Sequence, residues 1–243
     1  MTELRPRAGK AIQQFSFVDA LVAGLLEGAF PASAVLAAGD FGVGCGDALD
    51  GELVLLDGTM LLCRADGRVL PVAADALLPF AEVVRFEPTF TVELPGPLTE
   101  TEFERQIERL VPSANLFYAI RVDGIFDTMT VREAVRQQQP FRGLADAVTQ
   151  QHESTMKDTR GTMLGFAGPD VFQGLSVADL HLHYIDAART FGGHVMDFQL
   201  AAGTLSIEAY ASFTVHLPEI ASYLDADLDD MDADAAIRRA ESS

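Results

Sequence analysis

Short apolar segments separated by turn-forming pairs are the main pattern in the first third of the chain. The segments at residues 53–56, 60–63 and 69–72 are rich in Leu, Val and Met, and Asp57-Gly58 and Asp66-Gly67 lie between them. Asp-Gly pairs between such runs favour the tight turns of β-hairpins, because glycine readily adopts a positive φ. The pattern therefore predicts an antiparallel meander in this region.

Apolar residues with helical spacing follow two possible capping boxes. Ser16 and Asp19 precede one helical face of apolar residues, and Thr99 and Glu102 precede another, which Pro112 ends. In a capping box the first side chain accepts from a backbone N–H three residues later, and the acidic side chain reaches back to the first backbone N–H. Both segments are predicted to be helices.

The remaining segments favour strands. Residues 116–122 and 125–129 flank Asp123-Gly124, which predicts another hairpin. Further β-rich segments lie around residues 163, 180–184, 194–198, 203–207 and 213–217, and a terminal helix is predicted around residues 233–240. The predicted fold class is α+β, a β-rich two-part architecture with mixed and antiparallel sheets and a few flanking helices.

The domain organisation is predicted from the same pattern. Residues 1–13 are predicted to be a flexible N-terminus, residues 14–145 an N-terminal α/β part, and residues 146–243 a C-terminal β-rich part with the terminal helix. No Gly/Ser-rich or Pro-rich linker divides the two parts. The boundary is therefore soft, and one compact unit is the alternative.

Composition and charge narrow the possible partners. The 243 residues include 17 basic and 36 acidic side chains, which gives a formal net charge of -19. This charge disfavours binding to nucleic acids and to anionic membranes, since both attract positively charged proteins. No apolar run approaches the roughly 20 residues of a membrane-spanning helix, and the N-terminus lacks a signal-peptide pattern. We expect a soluble cytoplasmic protein.

Three of the five histidines, His181, His183 and His194, lie within fourteen residues. In a strand, His181 and His183 would project from one face. Gly192-Gly193 is predicted to reverse the chain, so that a returning strand brings His194 beside the pair. Catalytic zinc usually has three protein ligands and an open position, a pattern that three histidines match. We therefore predict a metal site.

Several segments together resemble the acetolactate decarboxylases, from about residue 15 to the C-terminal helix. The segments that carry the resemblance are residues 39–44 with 48–52, residues 115–124, and residues 181–186 with 192–198. The resemblance implies decarboxylation of 2-acetolactate to acetoin, with Zn²⁺ held by His181, His183 and His194. It also implies that Glu52, Arg132 and Glu241 are catalytic.

The resemblance further implies a mechanism. Zinc would act as a Lewis acid on the substrate and stabilise the enediolate left by loss of carbon dioxide. Arg132 would orient the substrate, and Glu52 or Glu241 would supply the proton. Family members often form dimers and take part in acetoin and butanediol production, so we expect a homodimer whose only other partner is this small-molecule substrate.

Two departures from the family pattern affect these expectations. The chain has Cys45-Gly46-Asp47 where the family commonly carries bulkier residues, which is expected to alter the cavity wall near Glu52. Val135 stands where the family usually has proline, so Arg121 or Arg136 is the alternative to Arg132.

The histidine pattern by itself is also compatible with two other classes of protein. One is a cupin-like, iron-dependent oxygenase, which normally uses two histidines and a carboxylate, with Glu52 as the possible third ligand. The other is a noncatalytic metal-dependent binding protein, whose closed site would need a fourth protein ligand. Metal identity and oxygen consumption separate these alternatives from decarboxylation.

Overall fold

The computed structural model describes residues 4–147 and 151–228. The predicted terminal helix at residues 233–240 lies outside this part of the chain. Within it, the predicted meander is confirmed. Glu52–Leu56 (β4), Thr59–Cys63 (β5) and Val69–Pro71 (β6) are consecutive antiparallel strands.

The meander forms one side of a seven-stranded sheet. Its other strands are Ile12–Phe15 (β1), Phe41–Cys45 (β3), Phe80–Val84 (β8) and Phe213–His216 (β15). Their order is β15-β1-β8-β3-β4-β5-β6, and only the β15–β1 pair is parallel among the described residues. A separate two-stranded sheet pairs Phe30–Pro31 (β2) with Leu77–Leu78 (β7).

The second large sheet has six strands among the described residues, and three of them are the longest strands there. The six are Phe90–Leu94 (β9), Leu98–Thr99 (β10), Phe117–Glu133 (β11), His152–Gly168 (β12), Asp179–Asp186 (β13) and Gly192–Tyr210 (β14). The order is β10-β14-β11-β12-β13, and β9 also pairs with β14. Together the two sheets confirm the predicted β-rich fold class.

The hairpin predicted at Asp123-Gly124 is wrong, because both residues lie inside β11. Gly124 lies opposite Gly161 of β12 and Gly203 of β14. A Cβ on Gly124 would lie 2.8 Å from Cδ1 of Leu200. Glycine here permits close packing within the sheet, so it does not mark a turn.

Five short α-helices flank the sheets in the part of the chain that the structure describes. They are Val18–Val22 (α1), Ala32–Ala38 (α2), Glu100–Leu110 (α3), Leu144–Ala147 (α4) and Ala221–Leu224 (α5). The capping box of Thr99 and Glu102 is confirmed at α3. The one predicted at Ser16 is wrong, because Ser16 has a φ of 67° and Phe17 is the N-cap residue without a side-chain hydrogen bond. No helix within the described residues is long and apolar enough to cross a bilayer.

The two large sheets share one apolar layer. Val43 and Val54 of the first sheet belong to the same buried cluster as Ala119 and Leu164 of the second. The opposite face of the second sheet packs against α3, through Phe103 and other residues. The site-bearing strands therefore lie in the middle of the molecule, where both neighbouring layers restrict their side chains.

The path of the chain joins the two sheets more than once. The chain leaves the first sheet after β8, builds the second sheet, and returns as β15 beside β1. Strands before and after residue 145 therefore share the second sheet. Ile12 and Gln13, at the end of the segment predicted to be flexible, pair with β15, and Leu4 is buried.

Candidate metal centre and active site

His181, His183 and His194 meet at one place, as the spacing predicted. His181 and His183 project from one face of β13, and His194 of β14 lies directly opposite His183. One ligand atom from each ring lies within 4.8 Å of the others. The intervening Leu182 and Tyr184 project into the apolar cluster on the other face. The alternation of the strand thus aims the imidazoles, because the apolar residues fix which face is buried.

The predicted reversal at Gly192-Gly193 is wrong in its position. Both glycines belong to β14, where Gly193 lies opposite Tyr184. Residues 187–191 make the reversal, and the Asp186 carboxylate accepts hydrogen bonds from three of their backbone N–H groups. Gly193 has a different function: a Cβ there would lie 2.5 Å from the carbonyl oxygen of Arg132. Because glycine has no Cβ, β14 can approach β11 closely beside His194.

The environment of His183 determines its tautomer. Nδ1 lies 2.9 Å from the carbonyl oxygen of Leu53, which can only accept, so Nδ1–H donates. Nε2 therefore carries the lone pair. This nitrogen is buried and has no hydrogen-bond partner among the described residues. It has the geometry of a metal-ligating nitrogen, in a ring that is oriented by the N–H of the other ring nitrogen.

Burial and nearby charges favour the neutral form of His183 and His194. Burial lowers the pKa of His183 and of His194 well below the usual range, and the nearby His181 and Arg132 act in the same direction. Neutral imidazole is the form that binds a divalent cation. Three converging nitrogens, two of them on rings held neutral by burial, therefore fit a divalent metal ion.

Glu52 and Arg132 flank this group. Glu52 begins β4, and its Oε2 lies 3.7 Å from Nε2 of His183, with only 13% of the side chain exposed. A glutamate after Asp50-Gly51 is ordinarily expected to point into solvent. Here the close packing of the sheets turns it toward the histidines. Arg132 is 5% exposed and lies opposite His194 in the sheet.

The other candidates from the sequence lie elsewhere. Arg121 forms ion pairs with Asp57 and Asp123, and Arg136 with Asp47, and neither arginine lines the cavity beside the histidines. Glu241 lies outside the described residues.

A small cavity opens beside the histidines. Its volume is about 70 Å³, and a single water needs about 10–15 Å³ on this measure, so the space suits one small molecule. Its lining combines polar and apolar side chains. The polar ones are Glu52, Arg132, Gln151, His181, His183 and His194, and the apolar ones include Val18, Leu21, Leu49, Phe80, Leu144 and Val177.

Gln151 is a member of this cavity that the sequence did not indicate. Its Oε1 accepts a hydrogen bond of 3.3 Å from Nη1 of Arg132. Gln151 stands just before β12 without a motif around it. Its position depends on a contact with a residue 19 positions earlier in the chain. No local pattern could have revealed it.

The fold and the site define a protein built on two large sheets, with a candidate three-histidine metal centre beside a small, partly apolar cavity. The family model described as alpha-acetolactate decarboxylase matches residues 12–230. The chain belongs to that family, and it is an enzyme of the acetolactate decarboxylase type.

Individual relatives agree with this assignment. The chain is 39% identical to an alpha-acetolactate decarboxylase of Methylococcus capsulatus, over 94% of this chain and 87% of the relative. It matches a crystal structure of alpha-acetolactate decarboxylase from Bacillus subtilis with a TM-score of 0.93 and 36% identity, over 96% of this chain and 100% of the other. A Staphylococcus aureus protein described as similar to alpha-acetolactate decarboxylase gives a TM-score of 0.92 at 31% identity, over 95% of this chain and 100% of the other.

Proposed function

We propose that this enzyme converts 2-acetolactate to acetoin and carbon dioxide with a zinc ion held by His181, His183 and His194. The observation that carries the proposal is the convergence of three buried imidazoles beside Glu52 and Arg132. The same geometry leaves room for a small ligand next to the nitrogens. It therefore favours a catalytic centre over a closed structural site.

The reaction requires a place for an electron pair. When carbon dioxide leaves 2-acetolactate, the electrons of the broken C–C bond pass to the carbon and onto the ketone oxygen. A bound zinc ion would supply a Lewis acid that stabilises this enediolate. The chain must then hold the carboxylate before the bond breaks, and deliver a proton to the carbon afterwards.

Arg132 and Glu52 fit these two tasks. The buried guanidinium of Arg132 can bind the substrate carboxylate through charge-assisted hydrogen bonds. Glu52, with its carboxyl beside His183, holds the proton that passes to the carbon that lost carbon dioxide. Glu241 is the second candidate for this proton transfer. The apolar side chains that line the cavity accommodate the methyl groups of the substrate.

Three variants test the assignment. In His183→Ala we expect loss of both bound zinc and acetoin formation, because one of three ligands is gone. Glu52→Gln keeps a similar shape, so it should retain zinc but lose turnover. His152→Ala is the matched control, since His152 is exposed and outside the cavity. Zinc content is measured by elemental analysis and acetoin by a colorimetric assay; normal activity in both site variants would refute the assignment.

The oxygenase alternative is tested on the same preparations. Iron as the activating metal, together with oxygen consumption, would support the oxygenase. Release of carbon dioxide from 2-acetolactate without oxygen uptake supports decarboxylation. As the family resemblance implies, we further propose a cytoplasmic homodimer acting in acetoin and butanediol formation. Size-exclusion chromatography with light scattering, which gives the molar mass of the purified protein, tests the dimer.

A further inference from the structure

Gln151 contacts the side chain that the proposed function assigns to substrate binding. The backbone of Arg132 is fixed on both sides, opposite His194 in β14 and opposite Glu153 in β12. The long side chain beyond Cβ still has several rotatable bonds, and a contact at its far end decides where the guanidinium points. The Oε1 of Gln151 makes such a contact with Nη1.

The chemical nature of this acceptor matters. An amide oxygen accepts a hydrogen bond from a guanidinium without contributing a charge. A carboxylate at the same position would form a stronger, charge-assisted bond and would compete with an anionic ligand for the same guanidinium. Glutamine therefore directs the guanidinium while preserving its attraction for a carboxylate in the cavity.

We propose that Gln151 is a positioning residue, which orients the guanidinium of Arg132 toward the carboxylate of the substrate. The inference rests on the proposed function, in which Arg132 binds that carboxylate. Gln151 also lines the cavity, so it acts at the place where the substrate binds. Its replacement should affect ligands with a carboxylate and spare neutral ones.

Two substitutions of similar size separate the two features of the amide. Gln151→Met removes the acceptor, and Gln151→Glu keeps an acceptor but adds a negative charge. Gln138→Glu is the matched control, because Gln138 is exposed in the loop after β11 and outside the cavity, and it introduces the same charge. Arg132→Gln reports on the arginine itself. All variants are studied as zinc-loaded enzyme.

Two inhibitors serve as probes of the cavity. 2-Hydroxy-2-methylpropanoate carries a carboxylate and a hydroxyl but no ketone, so it is not decarboxylated by this reaction. Acetoin, the product, is neutral. The inhibition constant of each probe is measured against 2-acetolactate, together with kcat and KM.

The expected result is selective weakening of the charged probe. Gln151→Met should raise the inhibition constant of 2-hydroxy-2-methylpropanoate by about tenfold, the usual effect of losing a hydrogen bond to a charged group. Gln151→Glu should weaken it further, and raise KM more than it lowers kcat. Acetoin should bind as in the unaltered enzyme, and Gln138→Glu should leave both probes unchanged.

Other results would overturn the inference. A merely structural function for Gln151 would weaken both probes equally. If both probes bind the Gln151 variants as they bind the unaltered enzyme, while Arg132→Gln weakens binding of the charged probe, the inference about Gln151 is refuted. The proposed function then still stands. Unchanged binding of the charged probe in Arg132→Gln would instead refute the function proposed for Arg132, and the inference about Gln151 with it.

Discussion

Glu82 should make the stability of this enzyme depend on pH above the acidic range. It lies in β8 between β1 and β3 and is 1% exposed. Ser176 donates a hydrogen bond of 3.1 Å to Oε2, and Oε1 has no partner among the described residues. Burial raises the pKa of Glu82 to about 8, against 4.5 for an ordinary glutamate. The folded protein therefore holds this proton at neutral pH.

The sign and size of the effect follow from proton linkage. Between pH 4.5 and about 8 the unfolded chain has lost the proton that the folded protein still binds, so rising pH favours unfolding. The stability contribution of this group is complete below pH 4.5 and is lost as pH rises through about 8. Each pH unit within this range costs about 1.4 kcal/mol. From pH 5.5 to 7.5 the loss due to Glu82 is about 2–3 kcal/mol.

Glu82→Gln tests this directly. The amide keeps an acceptor for Ser176 and cannot ionise, so the variant should lose the pH dependence that Glu82 causes. The free energy of unfolding is measured by urea denaturation of both proteins at pH 5.5, 6.5 and 7.5. The free energy of unfolding of the variant, minus that of the unaltered protein, should increase by about 2–3 kcal/mol from pH 5.5 to pH 7.5. A difference that stays constant with pH would refute the reasoning.

Three further predictions concern the helix cap, the strand contact and the metal. Thr99→Ala should cost about 1 kcal/mol of folding free energy in urea denaturation, because it removes the α3 cap, whereas Thr101→Ala should cost less. Gly193→Ala should reduce zinc content and turnover, since its Cβ would press against the Arg132 carbonyl oxygen; full activity would contradict this. Chelation should lower Tm and abolish turnover, and added zinc should restore both, because a metal bound only by the folded state stabilises it.

Local signals predicted much of the fold. The meander and the α3 capping box each depend on residues within one short segment, so composition and spacing are sufficient. The same explanation holds for His181 and His183, whose common face follows from two positions on one strand. His194 was predicted because a single chain reversal connects its strand to theirs.

The failed predictions depend on neighbours distant in the sequence. Asp123-Gly124 has the composition of a turn, but Asp123 lies opposite Thr162 of β12 and Thr204 of β14, and it accepts a hydrogen bond from Thr162. These contacts hold the residue in a continuous strand. Glu52 could be assigned to the site only through the family resemblance, and Gln151 not at all, since each approaches the site through tertiary packing.

The hydrogen bond from His183 to the Leu53 carbonyl crosses from one large sheet to the other. Glu52 of the first sheet reaches the same imidazole. A refolding intermediate with both sheets formed but not yet docked would lack the fixed ring and the adjacent carboxyl. Tight cation uptake during refolding should therefore coincide with docking of the two sheets, so the rate of uptake would report the rate of docking.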